Sequence, residues 1–267
     1  MQVVGYDTGY AGLSYDPAEG TTGAVEPPAL LIADDGSVHR ERLPPGHELA
    51  YTLGERHCVG SFDGETHDAC DAGRAPYCGD HESDWPCARC TGNCDLPIDA
   101  CEQEHAVYLA GFSPATFKVG VTRLGRLATR LREQGADHAA HVHSVSDGRV
   151  ARRLEREIAE SVPDQVRTAR KVAGLNRRFD LDAWWALLGE FRVVRTFEFD
   201  YGLDLDRRPV QEVLATGTVR GAKGRLLLLE RNGGTFAVDL RDLLGYELHP
   251  GETDRDLQVS LGAFEPS

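Results

Sequence analysis

Three different spacings of apolar residues divide this chain. Up to about residue 55 the apolar positions come in short β-like runs, "PALLIADDGSVHRERL" and "ELAYTLG". Gly, Pro and an Asp-Asp-Gly turn signal break these runs. From residue 56 to 104 aliphatic periodicity almost vanishes. At His105 it returns: "AVYLAGF" and "TFKVGVT" predict two strands joined by the turn "SPAT". "LGRLATRLREQG" predicts a helix with Leu124, Leu127 and Leu131 on one stripe and Gly135 as its stop. "AAHVHSVSDG" reads as a strand and turn. "RVARRLEREIAESVP" predicts a second helix with Val150, Leu154 and Ile158 inward and Pro163 at its end. "LDAWWALLGEF" predicts a third. The last stretch, "VLATGTVRGAKGRLLLLERNGGTFAVDL", predicts a β-meander with "NGG" as a hairpin signal.

The expected class is therefore α+β in four segments: an N-terminal β segment (1–55), a Cys-rich segment (56–104), an α/β domain (105–200) and a C-terminal β-meander (201–267). The strands at the two ends are expected to pair into one small barrel. No apolar run reaches the about 18 residues of a membrane span, and "MQVVGYDTG" lacks the basic flank and apolar stretch of a secretory signal. The expected location is the cytoplasm.

The Cys-rich segment carries all seven cysteines. It is too polar to order itself by burial, and a cytoplasmic setting disfavours disulfides. Cys87-x2-Cys90-x3-Cys94-x6-Cys101 fits a tetrahedral structural zinc, because a CxxC turn turns both sulfurs towards one ion. Cys58, Cys70 and Cys78, with His81 or His67 as fourth ligand, suggest a second zinc. The duller reading of those three is free or redox-active thiols. Four protein ligands leave no open position, so the expected metal is a brace.

Charge adds a contrast. With 43 acidic against 29 basic residues the formal charge is −14, which ordinarily argues against a polyanionic partner. Only Lys118, Lys171 and Lys223 are lysines; every other basic residue is arginine. An acidic, lysine-poor chain matches adaptation to molar salt, where a Debye length of about 3 Å screens surface repulsion. The rival reading is an acidic protein that avoids nucleic acid. Yet residues 118–178 hold fourteen Lys/Arg against seven Asp/Glu, while residues 55–104 hold twelve acids against three arginines. A basic block in an acidic chain points to a phosphate-facing surface, with Arg123, Arg126 and Arg152 as candidates for contact with DNA or RNA.

The segment 105–162 resembles the core of the GIY-YIG nuclease superfamily. "VYL" (107–109) and "KVG" (118–120) stand where the two eponymous tripeptides would be. Arg130 lies in the following helix, and "LEREI" around Glu155 resembles the glutamate helix. The first tripeptide keeps only Tyr108, and Lys118 replaces the second tyrosine. The whole arrangement is also similar to DUF2797, a family of unknown function. "CEQEHAVYLA", "KVGVTR", "RLREQGA" and "VRGAKGRLLLL" carry that resemblance in order. The nuclease resemblance implies metal-dependent cleavage of phosphodiester bonds. Glu155 would hold one Mg2+ or Mn2+, Tyr108 or Lys118 would orient or deprotonate water, and Arg130 would clamp phosphate.

Each residue has a plainer reading. Tyr108 fits a half-buried strand aromatic, Arg130 a solvated stripe, and Glu155 a surface ion pair with a neighbouring arginine. Two other functions therefore stand beside the nuclease: a nucleic-acid-binding module with a degenerate core, and a zinc-scaffolded protein-interaction domain.

Overall fold

The computed structural model describes residues 1–82 and 101–251. In chain order its first strands are β1 (Gln2–Asp7), β2 (Ser14–Asp16), β3 (Gly20–Thr22), β4 (Ala29–Asp34), β5 (Ser37–Arg42), β6 (Glu48–Arg56), β7 (Ser61–Asp63) and β8 (Thr66–Asp68). Next come β9 (His105–Phe112), β10 (Thr116–Arg123), α1 (Leu127–Glu133), β11 (His138–Val145), α2 (Gly148–Ile158), α3 (Thr168–Gly174), α4 (Leu181–Leu188) and β12 (Arg195–Glu198). The chain finishes with β13 (Val210–Gln211), β14 (Ala215–Lys223), β15 (Leu226–Arg231), β16 (Gly234–Asp239) and β17 (Tyr246–Pro250). These elements form two compact units. Among the described residues, one comprises 1–9, 27–82 and 202–251, the other 10–26 and 101–201.

The first unit is one eleven-stranded sheet in the order β13-β16-β15-β14-β6-β17-β1-β4-β5-β8-β7. Its short hairpins are locally encoded. Asp35-Gly36 and Asn232-Gly233 all take positive φ, the two-residue turn whose twist matches that of the flanking strands. The N- and C-terminal strands do share this sheet, through β1 with β17 and β6 with β14. It does not close into the expected barrel: its edges are β13 and β7.

It curls instead. The turn Leu240–Leu243 follows β16 and also touches β1, and the Gly245 N–H donates to the Val3 carbonyl at 2.9 Å. In a flat sheet β16 and β1 would lie five spacings, about 24 Å, apart. The curl wraps Leu30, Ile32, Leu227, Leu229 and Phe236 into one core, which removes the need for a covering helix layer.

The second unit holds an antiparallel sheet, β10-β9-β11-β12. All eight residues of the central β9 are buried because both faces are covered. Ala106, Tyr108, Ala110 and Phe112 pack with Leu124, Leu127 and Leu131. Val107 and Leu109 pack on the other side with Val119, Ala151, Trp184 and Leu188. Asp147 caps α2, accepting from the Arg149 and Val150 N–H groups, and so sets its phase. Ala151, rather than Val150, faces the sheet; Val150 is 37% exposed. A side chain one position away on a helix turns by about 100°, so the inward stripe is Ala151, Leu154 and Ile158. No helix among the described residues is long and apolar enough to cross a membrane.

Candidate functional sites

Two constellations stand out, one in each unit. The first begins where β6 ends. Cys58, Cys70, Cys78 and His81 place their three sulfurs and one ring nitrogen within 4.8 Å of one another. The Cys70 and Cys78 sulfurs are 3.9 Å apart, and His81 Nδ1 lies 3.2 Å from Cys78 Sγ and 3.5 Å from Cys58 Sγ. Zinc at 2.3 Å from sulfur and about 2.05 Å from nitrogen requires tetrahedron edges of about 3.8 Å (S–S) and about 3.6 Å (S–N). The Cys70–Cys78 edge and the two edges to His81 lie within about 0.4 Å of these values, and the Cys70 and Cys78 sulfurs are too far apart for a disulfide.

Burial pushes the Cys58 thiol up. The Cys78 and Gly60 N–H groups, at 3.3 and 3.4 Å from its sulfur, outweigh that and hold it below the usual thiol range. Backbone donors aimed at one sulfur favour the thiolate a metal needs. His67, the other candidate ligand, is already engaged: its Nε2 lies 2.7 Å from the Val59 carbonyl. This cluster can hold a metal ion, and three sulfurs with one imidazole are the donor chemistry of structural zinc. Cys87, Cys90 and Cys94 of the other expected site lie outside the described residues. Cys101 is buried, and its carbonyl receives the Gly148 N–H at 2.8 Å.

The second constellation lies on and around β10, an edge strand. Tyr108 on β9 pairs with Gly120 on β10, and its ring lies over that glycine. A Cβ there would sit 2.5 Å from the Tyr108 Cζ and hydroxyl oxygen. The lost side chain of Gly120 thus makes room for the phenol. Gln134, just past α1, donates from Nε2 to the Tyr108 hydroxyl at 2.6 Å, while Lys171 Nζ donates to the Gln134 carbonyl at 2.7 Å. Burial raises the Tyr108 pKa; Arg130 and Gln134 oppose this, and Glu155 adds to it. The phenol stays protonated near neutrality, so it is suited to orient rather than to deprotonate.

Lys118 is two residues before Gly120 and shares its face of β10. Burial and the Arg130 guanidinium lower its pKa from 10.5 to about 8, against the opposing pull of Glu155 and Asp164; Arg152 lowers it slightly further. Tyr108, Lys118, Arg130 and Glu155 are therefore within electrostatic reach of one another, although they come from two strands and two helices. Glu155 carries an Arg152 ion pair at 2.7 Å, and its side chain is only 14% exposed. Arg130 shares Glu133 with Arg126, at 3.5 and 3.1 Å. Arg123 and Arg126 line a hollow of about 450 Å³ together with Tyr15, Gln103 and Glu104, and none of the four residues around β10 lines it.

Sequence reasoning passed over two residues. Gln134 stood in the quoted "RLREQGA" and was read only as a family signature. Asp164 follows Pro163, whose carbonyl receives the Val119 N–H at 2.9 Å along the outer side of β10; no local pattern announces that docking. His141 on β11 is fully buried. It lies between the Tyr15 hydroxyl (3.3 Å) and the His143 carbonyl (3.0 Å), and burial pushes its pKa below the usual imidazole range.

The fold and these two constellations define a mixed, strand-rich protein with a Cys3His metal-site candidate and a cationic polar cluster on a separate sheet. The family model for "Protein of unknown function (DUF2797)" matches residues 48–248, and the chain belongs to that family. No curated protein and no solved structure matches it.

Proposed function

We propose that this chain cleaves phosphodiester bonds of DNA or RNA at the Tyr108–Lys118–Arg130–Glu155 cluster, with structural zinc on Cys58, Cys70, Cys78 and His81 bracing the other unit. The observation that carries this reading is the joint electrostatics of the four polar groups, with the Lys118 amine brought to about 8. A base with a pKa near the working pH can take a proton from water and remain substantially available. Arg130 supplies a permanent planar charge for a phosphate, and Tyr108, held by Gln134, directs a hydroxyl at a fixed angle. The resemblance of "VYL", "KVG" and "LEREI" to GIY-YIG nucleases supports the same roles.

Glu155 is the carboxylate that would hold Mg2+ or Mn2+. One or two carboxylates suffice for such an ion, and Arg152 engages only Oε2. When bound, the ion would supply Lewis acidity at a non-bridging phosphate oxygen.

The ion pair of Glu155 with Arg152 favours a second reading, because a carboxylate already neutralised by a guanidinium is a poorer ligand for a divalent cation. On that reading the protein binds nucleic acid without turnover. The experiment is plasmid nicking and structured-RNA cleavage at high salt with Mg2+ or Mn2+. The nuclease reading expects cleavage that Glu155→Ala abolishes. Absence of cleavage with either metal, alongside binding that survives Glu155→Ala, would establish the binder. Binding unchanged by neutralising Arg123, Arg126 and Arg130 together would refute both and return the zinc-scaffolded interaction domain.

A further inference from the structure

The three sulfurs of the Cys3His cluster are not equivalent. Cys58 is fully buried and Cys78 is 7% exposed, whereas Cys70 reaches solvent. The Cys58 sulfur also accepts from the Gly60 and Cys78 N–H groups, at 3.4 and 3.3 Å. The Cys70 and Cys78 sulfurs are 3.9 Å apart and need to close by only about 1.9 Å to reach a disulfide length. The ligands sit on a thin loop. Asp71, Gly73, Arg74, Gly79 and Asp80 are exposed. The Cys58 and Val59 N–H groups tie that loop to the end of β6, donating to the Ala72 and Pro76 carbonyls at 2.9 Å each. A reactive sulfur open to solvent, with a second sulfur beside it, is the arrangement of a cysteine pair that oxidises selectively.

We infer that Cys70 is a site of oxidation by hydroperoxides, and that Cys78 then closes on it as a disulfide and frees the metal. The oxidant class follows from the neighbours. Asp68, Asp71 and Asp80 are exposed and stand within two residues of a ligand, so anionic oxidants such as glutathione disulfide are repelled. A small uncharged peroxide is not. The inference rests on the zinc reading above and on nothing in the nuclease reading.

Sulfurs that ligate a metal do so as thiolates. Cys70 Sγ attacks one peroxide oxygen. An S–O bond forms, the O–O bond breaks, and the departing oxygen takes a proton to become water or an alcohol. The Cys78 thiolate then attacks the Cys70 sulfenic acid. An S–S bond forms, and the hydroxyl group leaves with a proton as water. Two thiolates together lose two electrons, and the peroxide gains them. Cys58 and His81 remain, and two donors do not complete a tetrahedron around zinc. Cys58 stays reduced because burial keeps the peroxide from its sulfur. A thiol reductant with fresh zinc restores the site.

The test uses the whole protein, its zinc content measured first. Hydrogen peroxide is added, and released zinc is followed with a metal-binding dye. Free thiols are then alkylated, and peptide mapping by mass spectrometry locates the disulfide. The expected result is loss of one zinc per chain together with a Cys70–Cys78 disulfide. Cys58 should still be alkylated, and reduction in the presence of zinc should return the ion. Glutathione disulfide should release far less. Cys70→His keeps a nitrogen donor and removes the attacking sulfur, so the zinc-loaded variant should hold that ion through the same treatment. Zinc retained by wild type, release with Cys70 and Cys78 both still free, or a disulfide that includes Cys58 would each overturn the inference. Equal release by glutathione disulfide would overturn the oxidant class. Untreated protein without zinc would overturn the zinc reading itself. If Cys70→His takes up no zinc, the wild-type map decides alone.

Discussion

Gly120→Ala tests the geometry around β10 most directly. The added carbon would lie 2.5 Å from the Tyr108 Cζ and hydroxyl oxygen and 3.0 Å from Cε2. Carbon contacts settle at about 3.5–4.0 Å, so the ring must retreat by about 1 Å in a core where Tyr108 is 1% exposed. A shift of that size stretches the 2.6 Å bond from Gln134 to about 3.6 Å, beyond hydrogen bonding. Overpacking costs about 1–3 kcal/mol and the lost bond about 1 kcal/mol. Alanine returns about 0.4–1 kcal/mol by restricting the unfolded chain. The expected net loss is about 1–3.6 kcal/mol, read as a lower urea midpoint at unchanged slope. The same substitution in a Tyr108→Ala background should cost almost nothing, because its collision partner is gone. A Gly120→Ala protein within about 0.5 kcal/mol of wild type, with no difference between backgrounds, would refute the stacking of phenol on glycine.

Three further outcomes are expected. Cys58→Ser and Cys78→Ser should each remove one zinc per chain by metal analysis and lower the melting temperature; unchanged zinc content would mean that the Cys3His tetrahedron does not bind it. Lys118 has its pKa lowered from 10.5 to about 8, so between those values the unfolded chain holds more protons than the folded one, and stability should rise with pH across that window. The full shift corresponds to about 3 kcal/mol before solvent screening; Lys118→Met should flatten the rise and stabilise the protein at pH 7, and an unaltered profile would sink that account. Asn232 takes φ 50° in the β15–β16 turn, so Asn232→Val should cost about 1–2 kcal/mol, whereas Asn232→Gly should be close to neutral in thermal unfolding.

Much of the local structure was legible in the order of residues. Asp35-Gly36 and Asn232-Gly233 specify their hairpins because few residue types accept positive φ twice in succession. The Leu124–Leu127–Leu131 stripe specifies a helix because its spacing returns apolar groups to one side. The thiols announce metal chemistry because a polar segment needs something other than burial to order it. Which histidine completes the Cys58 cluster was left open by spacing. It was decided when the Val59 carbonyl engaged His67 and His81 turned Nδ1 towards the sulfurs. Val150 was misread because a shift of one helical position, set by the Asp147 cap, rotates the inward stripe.

That the end strands meet was expected from the sequence, but only the tertiary structure could decide that β1 takes β17 and β6 takes β14, since a register set across some 160 to 245 residues leaves no local trace. It also curled the sheet short of closure. The same holds for the cluster around β10. Sequence supplied a tyrosine, a lysine, an arginine and a glutamate on four elements, each with a dull alternative. Packing α1 on one face of β9 and α2 on the other, beside an edge strand, brought their fields together and lowered the Lys118 pKa. Local order encodes backbone conformation one turn at a time, whereas proximity, burial and the resulting pKa depend on what the rest of the chain places nearby.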